Sequence, residues 1–584
     1  MRGAMEEGGG ALISLEDALQ EVGTGPFSWL ALVICGWANA ADAVEIMGLS
    51  LAMPALEEGP ARLLGGAGAA GALSSSIFLG MLAGGLVWGL VGDRWGRKYT
   101  LAAALLVNAT FGLASAAARS TAALTALRVL AGVGVGGSVP VVFAYLIELT
   151  PAAARGHYQV GLASHWMVGS LLCAGLGWAI IPALGWRPFL AVSSAPAWLA
   201  AATLLALLPE SPRHLAVRGR IAEAEVALRR MAAWNGPRGA LPSGPFLAPL
   251  AGPAPAAAGG RAFEKAPPKA DAEAPGAVVV VTAEEALVGA SQQSAAGGEE
   301  PSAESAPAVA RGPRAAAVEA ARHARAALAA AAALLRPPLR GTTVPLLIAY
   351  AGLSGGWYST VLWLPLYFQR RGAAASLNVY AEMMVVAAAN LPGNLASWYL
   401  VDRIGRRWTT CGGLAASGAA ALAFAFAPPT SGWSLAAAAA FNGISVAGWN
   451  ALALLAAELY PTALRSSSNG LMTAAGRLSS FAFTLAAARL MELATWAPLV
   501  AAAALLLVGS AAVLRLPEPS GRPLADGLAG GAHGGAGGAG VGEMEAAAGP
   551  EPRTGCSVSA VWLRGRRVAS VTEADEGSAA RLGQ

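Results

Sequence analysis

Two short charged turns between long apolar runs constrain the fold of this chain more than any other feature. The first runs from Gly89 to Lys98 and the second from Val401 to Arg407. Turns this rich in charge cannot lie in hydrocarbon, whereas each flanking run is long enough to cross it, which takes about 20 apolar residues. Each turn therefore marks a point where the chain leaves a membrane and immediately returns.

The composition supports an all-α, multi-pass membrane protein. Of 584 residues, 55% are hydrophobic and only 13% are charged, and the charges concentrate in short connectors. The net charge of +4 is scattered over these connectors, so it indicates topology and no nucleic-acid partner. The acidic start of the chain, with Glu6, Glu7 and Glu16, predicts no cleaved signal peptide.

The apolar runs predict twelve transmembrane helices in two six-helix bundles. The N-terminal bundle spans 27–208, with helices at about 27–53, 72–91, 99–118, 121–147, 158–181 and 187–208. The C-terminal bundle spans 341–515, with helices at about 343–368, 377–400, 408–426, 433–457, 468–490 and 495–514.

Three further regions lie outside the bundles. Residues 1–26 form an N-terminal segment in which 14–20 is predicted as a short surface helix capped by Ser14. Residues 209–340 form a loop with a helix after Ser211, a disordered stretch at 235–311 and a helix at 314–335. The tail, 516–584, is predicted to be disordered.

Arginine and lysine set the predicted orientation. If the helices alternate, most of these residues fall on one side, including those of both charged turns. The positive-inside rule then places both termini and the long central loop in the cytoplasm. The sequence does not name the membrane.

A second motif recurs with the charged turn and indicates an internal duplication. Glu148, Pro151 and Arg155 match Glu458, Pro461 and Arg465 in type and spacing. The first glutamate follows Asp93 by 55 residues (148 − 93), and the second follows Asp402 by 56 (458 − 402). Two motifs in one order at nearly one spacing favour two halves related as parallel repeats.

Two halves, a long middle loop and the paired Gly-x-x-x-Asp-Arg-x-Gly-Arg-Lys motif resemble the major facilitator superfamily. The sequence at 210–213, Glu-Ser-Pro-Arg, resembles its sugar-porter and organic-ion branches. The stretches 17–29 and 41–47 resemble relatives of the synaptic-vesicle proteins and niacin-type organic-ion transporters. The resemblance implies alternating access, in which the two halves rock about a cavity at the middle of the membrane.

The resemblance also implies a cytoplasmic gate built from the repeated motifs. Its members are Asp93, Arg94, Arg97, Glu148 and Arg155 in the first half, and Asp402, Arg403, Arg406, Glu458 and Arg465 in the second. Ion pairs and helix-end dipoles would hold one closed conformation, which rocking must break. The alternative is that these arginines only fix topology, and the accompanying acids favour the gate.

Charges inside the predicted helices are the candidate substrate or proton site. Asp42 and Glu45 are three residues apart in helix 1, so they share a helical face. Charges at this depth face a cavity or a partner, which indicates a cation or proton site. The alternative is a structural ion pair with Arg128 of helix 4. The corresponding stretch of helix 7, 353–356, has no acid.

Four further residues are candidates for the same site. Arg477 lies near the middle of helix 11, where it could bind an anionic substrate or join a salt bridge within the bundle. His165 could relay protons, although a hydrogen-bonded structural role is the favoured reading. Tyr358 and Asn450 could line the cavity, with core packing as the default for both.

Patterns typical of other functions are absent from the sequence or out of context. The sequence at 132–137, Gly-Val-Gly-Val-Gly-Gly, fits a dinucleotide fingerprint but lies inside predicted helix 4, so it indicates close helix packing. With no nucleophile–histidine set, Walker motif or metal cluster, we expect no enzyme activity, cofactor or metal.

The sequence thus predicts a monomeric transporter in the lipid bilayer for a small organic solute, an organic ion or a sugar-like compound. Coupling to protons would run through Asp42 or Glu45. The alternatives are a uniporter without proton coupling, and a transporter-like receptor or trafficking protein that moves no solute.

Overall fold

In the computed structural model, the described residues are 12–58, 63–236, 241, 245–247, 325, 328–371, 378–429 and 431–519. Most of 235–311 and of the tail from 516 onward, for which we predicted disorder, lies outside these residues. Nearly every described residue is helical. The other regular structure among these residues is an isolated β-bridge between Ile13 and Leu247.

The first half of the chain folds into one helical bundle with a small helical attachment. Its helices are α1 (Leu15–Val22), α2 (Pro26–Glu58), α3 (Ala67–Trp95), α4 (Arg97–Ser115), α5 (Thr121–Glu148), α6 (Arg155–Leu184), α7 (Trp186–Ser193), α8 (Ala195–Leu207), α9 (Pro212–Val217) and α10 (Ile221–Asn235). Helix α3 packs along α5, α2 along α6, and α4 against both α5 and α8. The short helices α1, α9 and α10 pack together beside this bundle.

The second half repeats the arrangement. Its helices are α11 (Arg340–Val361), α12 (Leu364–Arg371), α13 (Val379–Ala388), α14 (Asn390–Ile404), α15 (Arg406–Phe426), α16 (Gly432–Leu459), α17 (Thr462–Leu493) and α18 (Ala497–Val513). Helix α11 packs against α17 and α18, and α15 against α16 and α18. Residues 328–334 are also helical, which agrees with the end of the helix predicted at 314–335.

Three helices that we predicted as continuous are broken in the structure. The sixth breaks at Ser194, the seventh at Leu362–Trp363 and the eighth at Ala389. Each break precedes a proline by two or three residues: Pro196, Pro365 and Pro392. Proline lacks an N–H for the carbonyl four residues back, and its ring clashes there. Pro54, Pro140, Pro182 and Pro345 lie inside helices without ending them.

Eight described helical stretches are long and apolar enough to cross a membrane. They are Pro26–Glu57, Ala67–Gly92, Thr121–Glu148, Ala152–Leu184, Trp186–Leu207, Arg406–Phe426, Gly432–Leu459 and Leu464–Leu493. Helix α18 is apolar but shorter. Helix α4 and the broken helices α11–α12 and α13–α14 occupy the remaining positions. Each bundle therefore contains six transmembrane helices when a broken helix is counted once.

The two bundles contact each other mainly away from the charged turns. We call the end of each bundle that holds its charged turn the basic end, and the opposite end the far end. At the far end, Arg370 pairs with Glu57 at 2.7 Å, and the Ser50 hydroxyl donates to the Leu362 carbonyl at 2.8 Å. At the basic end, the ion pairs among described residues each stay within one bundle.

Glycines determine how closely α3 and α5 approach. A Cβ added at Gly80 or Gly84 would overlap backbone atoms of α5, and one added at Gly132 or Gly136 would overlap those of α3. Small residues at this spacing let helix backbones touch, which maximises dispersion contacts where lipid competes for apolar surface. The glycine run at 132–137 is therefore a packing face within a helix.

Alanine at Gly84 should destabilise the first bundle. Its Cβ would meet the Val133 backbone, and such overpacking costs about 1–3 kcal/mol. We expect a lower Tm for Gly84→Ala than for wild type in detergent. Gly89→Ala, on the same helix with open space around its Cβ, is the matched control and should keep the wild-type Tm. Equal melting of both variants would contradict the packing argument.

Candidate functional site

Asp42 lies in the middle of α2 and is fully buried among neutral hydrogen-bond donors. Its Oδ1 accepts from the Asn108 amide of α4 at 3.0 Å, and its Oδ2 accepts from the Ser138 hydroxyl of α5 at 2.6 Å. Among the described residues, no cation lies within ion-pair distance of this carboxylate. Hydrogen bonds to neutral groups leave its charge uncompensated, which is costly inside a membrane.

Glu45, one turn along α2, has a different environment. Its Oε1 lies 2.7 Å from Nη1 of Arg128, and both side chains are buried. The same guanidinium donates from Nε to the Ser115 hydroxyl at 3.1 Å and from Nη2 to the Gly112 carbonyl at 3.3 Å. Glu45 thus forms the structural ion pair with Arg128 that we gave as the alternative to a cation or proton site.

Gly112 makes room for this ion pair. A Cβ at position 112 would lie only 2.8 Å from Oε2 of Glu45, so any larger residue would displace the carboxylate. The pair is therefore held by three helices: α2 carries the acid, α5 carries the base, and α4 supplies the space and two hydrogen-bond acceptors.

Arg477 of α17 approaches the same region from the second bundle. Its Nη1 donates to the Tyr358 hydroxyl at 3.1 Å, and its guanidinium lies 5.7 Å from the centre of the Tyr358 ring. Tyr358 contacts Phe78 of α3 edge to face, with 4.8 Å between ring centres. A base and two aromatic rings thus meet where the bundles face each other.

His165 of α6 packs against the first helix. Its ring directly contacts Gly36 of α2, and its Nδ1 lies 2.8 Å from the Gly161 carbonyl of the preceding turn. A carbonyl can only accept, so Nδ1 carries the proton. The structural role of His165 that we favoured from the sequence stays a prediction.

Asn450 belongs to a polar ladder that joins three helices. Its amide donates to Oδ1 of Asn394 at 2.7 Å and to the Ser397 hydroxyl at 2.8 Å. Asn394 in turn donates to the Ser164 hydroxyl of α6 at 3.0 Å. The ladder is one of the contacts that link the two bundles, next to His165.

At the basic end of the first bundle, a carboxylate caps α4. Oε1 of Glu210, which follows α8, accepts from the backbone N–H groups of Arg97 at 2.8 Å and Lys98 at 3.1 Å. A carboxylate here satisfies orphan donors and the positive end of the helix dipole. Nε of Arg97 also lies 3.3 Å from Oε1 of Glu148. Burial lowers the pKa of His214 nearby.

The second bundle repeats this arrangement. Glu518 follows α18 and accepts from the backbone N–H groups of Arg406 and Arg407, each at 2.9 Å. Arg406 pairs through Nε with Glu458 at 3.1 Å and through Nη1 with Asp402 at 3.2 Å. In each bundle, the segment after the last transmembrane helix is therefore hydrogen-bonded to the start of the third transmembrane helix at the basic end.

Arg155 and Arg465, which the duplication relates, have different surroundings. Arg155 pairs with Glu16 of α1 at 2.8 Å, and Arg213 pairs with the same carboxylate. By contrast, Nε and Nη2 of Arg465 are buried without a hydrogen-bond partner among the described residues. The structure therefore places Arg155 with the N-terminal helix instead of with Glu148.

Three expected gate residues remain. Arg94 is exposed at the end of α3. The Arg403 guanidinium lies 5.0 Å from the centre of the Tyr399 ring. The side chain of Asp93 lies outside the described part of the chain.

Sequence reasoning missed several of these partners. The repeated Leu-Pro-Glu at 208–210 and 516–518 would have identified Glu518 as the counterpart of Glu210. Asn108 is a lone amide in an apolar run, which is a weak signal of a buried polar contact. Ser138 carries no signal, because serine often bonds its own helix backbone.

The sequence matches the profile of the Major Facilitator Superfamily over residues 40–484 and again over 382–550. It is 33% identical over 229 residues to synaptic vesicle glycoprotein 2B of Mus musculus and to synaptic vesicle glycoprotein 2A of Rattus norvegicus. Each match covers 37% of this chain, and 33% and 30% of those proteins respectively. The chain thus matches about a third of the length of these relatives.

Solved structures of a bacterial transporter are also similar. The partially occluded inward-open form of the xylose transporter XylE from E. coli has a TM-score of 0.58 at 15% identity, covering 84% of this chain and all (100%) of that one. Its inward-open form has a TM-score of 0.59 at 16% identity, covering 85% and 98%. The predicted fold of twelve helices in two bundles is confirmed.

Removing the acid of the buried ion pair should cost more stability than neutralising Asp42. Glu45→Gln leaves Arg128 buried without its counter-charge, and breaking a buried pair costs about 3–5 kcal/mol. Asp42→Asn removes a carboxylate with no cation in contact, so we expect a smaller drop in Tm in detergent. The double variant Glu45→Gln/Arg128→Gln should recover part of the loss. A lower Tm for Asp42→Asn than for Glu45→Gln would contradict this assignment.

Proposed function

Because the chain belongs to the major facilitator superfamily, we propose that it transports a small organic solute across a membrane by alternating access between its two bundles. The bundles would be residues 27–208 and 341–515, with the central loop and tail outside them. The proposal is for a transporter without a cofactor and without an enzymatic step, acting as a monomer in the bilayer.

The environment of Asp42 carries the proposal. Its carboxylate is fully buried and accepts hydrogen bonds from two neutral donors. No cation among the described residues is in contact with it, so it does not serve a structural ion pair. Such a group is suited to take up a proton or a cationic part of a substrate, since either would neutralise it. Glu45 already has Arg128 as its counter-charge, which makes Asp42 the better candidate of the two acids.

The surroundings of Arg477 support an organic ion as the substrate class. A guanidinium can bind an anionic group in a bidentate manner, and the rings of Tyr358 and Phe78 beside it suit a flat apolar body. A sugar-like solute is the second candidate, because Oδ1 of Asn450 could accept from a hydroxyl while its Nδ2 donates to Asn394 and Ser397.

The distribution of contacts supports a conformation that is closed at the far end. There, Glu57 with Arg370 and Ser50 with Leu362 join the bundles, while the ion pairs at the basic end stay within each bundle. The similar XylE structures are inward-open forms. We therefore assign the basic end to the cytoplasm, in agreement with the positive-inside rule. The repeated ion pairs, intact within each bundle in this conformation, would border a gate at that end.

Uptake into proteoliposomes tests the proton coupling. With an inwardly directed proton gradient, we expect wild type to take up an organic ion faster than without the gradient. Asp42→Asn cannot release or bind a proton at this position, so its uptake should not respond to the gradient. A panel of organic cations, carboxylates and sugars provides the substrates.

Two results would contradict parts of this proposal. Wild-type uptake that ignores the gradient would favour a uniporter over proton coupling. Failure of wild type to move any compound of the panel would favour a receptor or trafficking role over transport. Asn108→Ala serves as a comparison, because it disturbs the same cluster and keeps the carboxylate.

The gate assignment predicts a change in rate without a change in affinity. Glu458→Gln removes a partner of Arg406 whose side chain is 24% exposed, and surface pairs of this kind are worth up to about 1 kcal/mol. The maximal uptake rate should change by up to about fivefold while the solute Kd stays constant. Glu492→Gln, in an exposed pair at the far end, is the control. A loss of affinity at unchanged rate would contradict the gate.

A further inference from the structure

A groove at the basic end of the second bundle has a basic rim and an apolar lining. It lies between the start of α11 and the chain just after α18, and its volume is about 440 Å³. Arg340 and Arg515 are part of its wall, together with Val344 and Pro345. Beside them, Gly341 leaves open space, because an added Cβ would have no heavy atom within 4 Å.

The two arginines of this groove are available to a ligand. Both side chains are exposed, and neither guanidinium has an ion-pair or hydrogen-bond partner among the described residues. The lining contains no acid. A third arginine adds to the positive charge, since Nη2 of Arg407 donates to the carbonyl of Leu514, the neighbour of Arg515, at 2.6 Å.

The groove lies at the depth of a membrane surface. Helix α11 begins here and helix α18 ends here. The apolar segments of both helices extend from this point into the membrane. Trp408, next in sequence to Arg407 and half-exposed, marks the same level, because tryptophan collects at membrane–water interfaces. A basic rim above an apolar wall at this level presents charge to a lipid headgroup and apolar surface to its chains.

We propose that this groove binds an anionic phospholipid of the leaflet at the basic end. The phosphate lies between Arg340 and Arg515, and an acyl chain lies along Val344 and Pro345. Guanidinium groups match phosphate oxygens in geometry as well as in charge. The proposal is independent of which solute the protein carries, because the groove lies at the surface of the second bundle, where Arg340 and Arg515 are exposed.

A second groove of the molecule serves as an internal comparison. It has a volume of about 470 Å³ and lies between α4 and α8, near the basic end of the first bundle. Its lining is Trp95, Tyr99, Ala102, Ala103, Leu106 and Leu205. With no charged residue, this groove suits an acyl chain of any lipid. Preference for an anionic headgroup should therefore come from the arginines of the second bundle.

Native mass spectrometry of the full chain tests the proposal. The protein is reconstituted in phosphatidylcholine vesicles that contain a minor fraction of phosphatidylserine, and the lipids that stay bound are counted. Wild type should retain phosphatidylserine in preference to phosphatidylcholine. Arg340→Gln/Arg515→Gln should lose this preference by about fivefold per arginine, the usual effect of a basic residue near an anionic surface.

Matched variants separate a defined site from diffuse attraction. Arg218→Gln/Arg220→Gln removes two exposed arginines at the turn between α9 and α10 and should retain phosphatidylserine as wild type does. Gly341→Leu fills the groove and keeps every charge, so it should lose retention. Gly412→Leu, on an exposed part of α15 with open space around its Cβ, should not.

Two outcomes would overturn the proposal. Equal retention by the two double variants would mean that the lipid responds only to total charge. Wild-type retention by Gly341→Leu would mean that the groove is not occupied. The Tm of each variant in detergent, which should equal that of wild type, establishes that the comparison concerns folded protein.

Discussion

Hydrocarbon cannot solvate a charge, and this constraint explains where the ionised side chains of the protein lie. Among the residues that the structure describes, most are at the basic end, where carboxylates cap helices and pair with arginines. Within the first bundle, Arg128 and Glu45 neutralise each other at 2.7 Å. Asp42, by contrast, receives hydrogen bonds from two neutral groups, Asn108 and Ser138. Inside a membrane, an acid without a counter-charge in contact is a candidate for a functional role.

The sequence predicted the architecture well because its main signal, the length of apolar runs, depends directly on membrane thickness. It did not predict the breaks at Ser194, Leu362 and Ala389, since other prolines stay within intact helices. It identified Asp42, Glu45 and Arg128 as a group because charges are conspicuous in apolar runs. It could not assign Arg128 to Glu45 over Asp42, because that choice depends on helix rotation and depth.

The two halves have the same helix-capping contacts at the basic end but different charged residues at mid-membrane. Each half caps its third helix with a glutamate that follows its last helix, and the related contacts span 113 residues in one half and 112 in the other. At mid-membrane, the acids lie in α2 of the first half, whereas Arg477 lies in α17 of the second. The duplication therefore supplies two similar bundles, and their buried charged residues distinguish them: Glu45 with Arg128, and Asp42, in the first, and Arg477 in the second.

The position of the two capping glutamates has a consequence for how the gene could be divided. Glu210 and Glu518 each belong to the same half as the helix that they cap, so neither bundle borrows its closing carboxylate from the other. A chain cut within the central loop, beyond α10, would leave both caps covalently attached to their own bundles. Two separately synthesised halves would then each carry a complete set of closing contacts, and could assemble in one membrane as independent folding units.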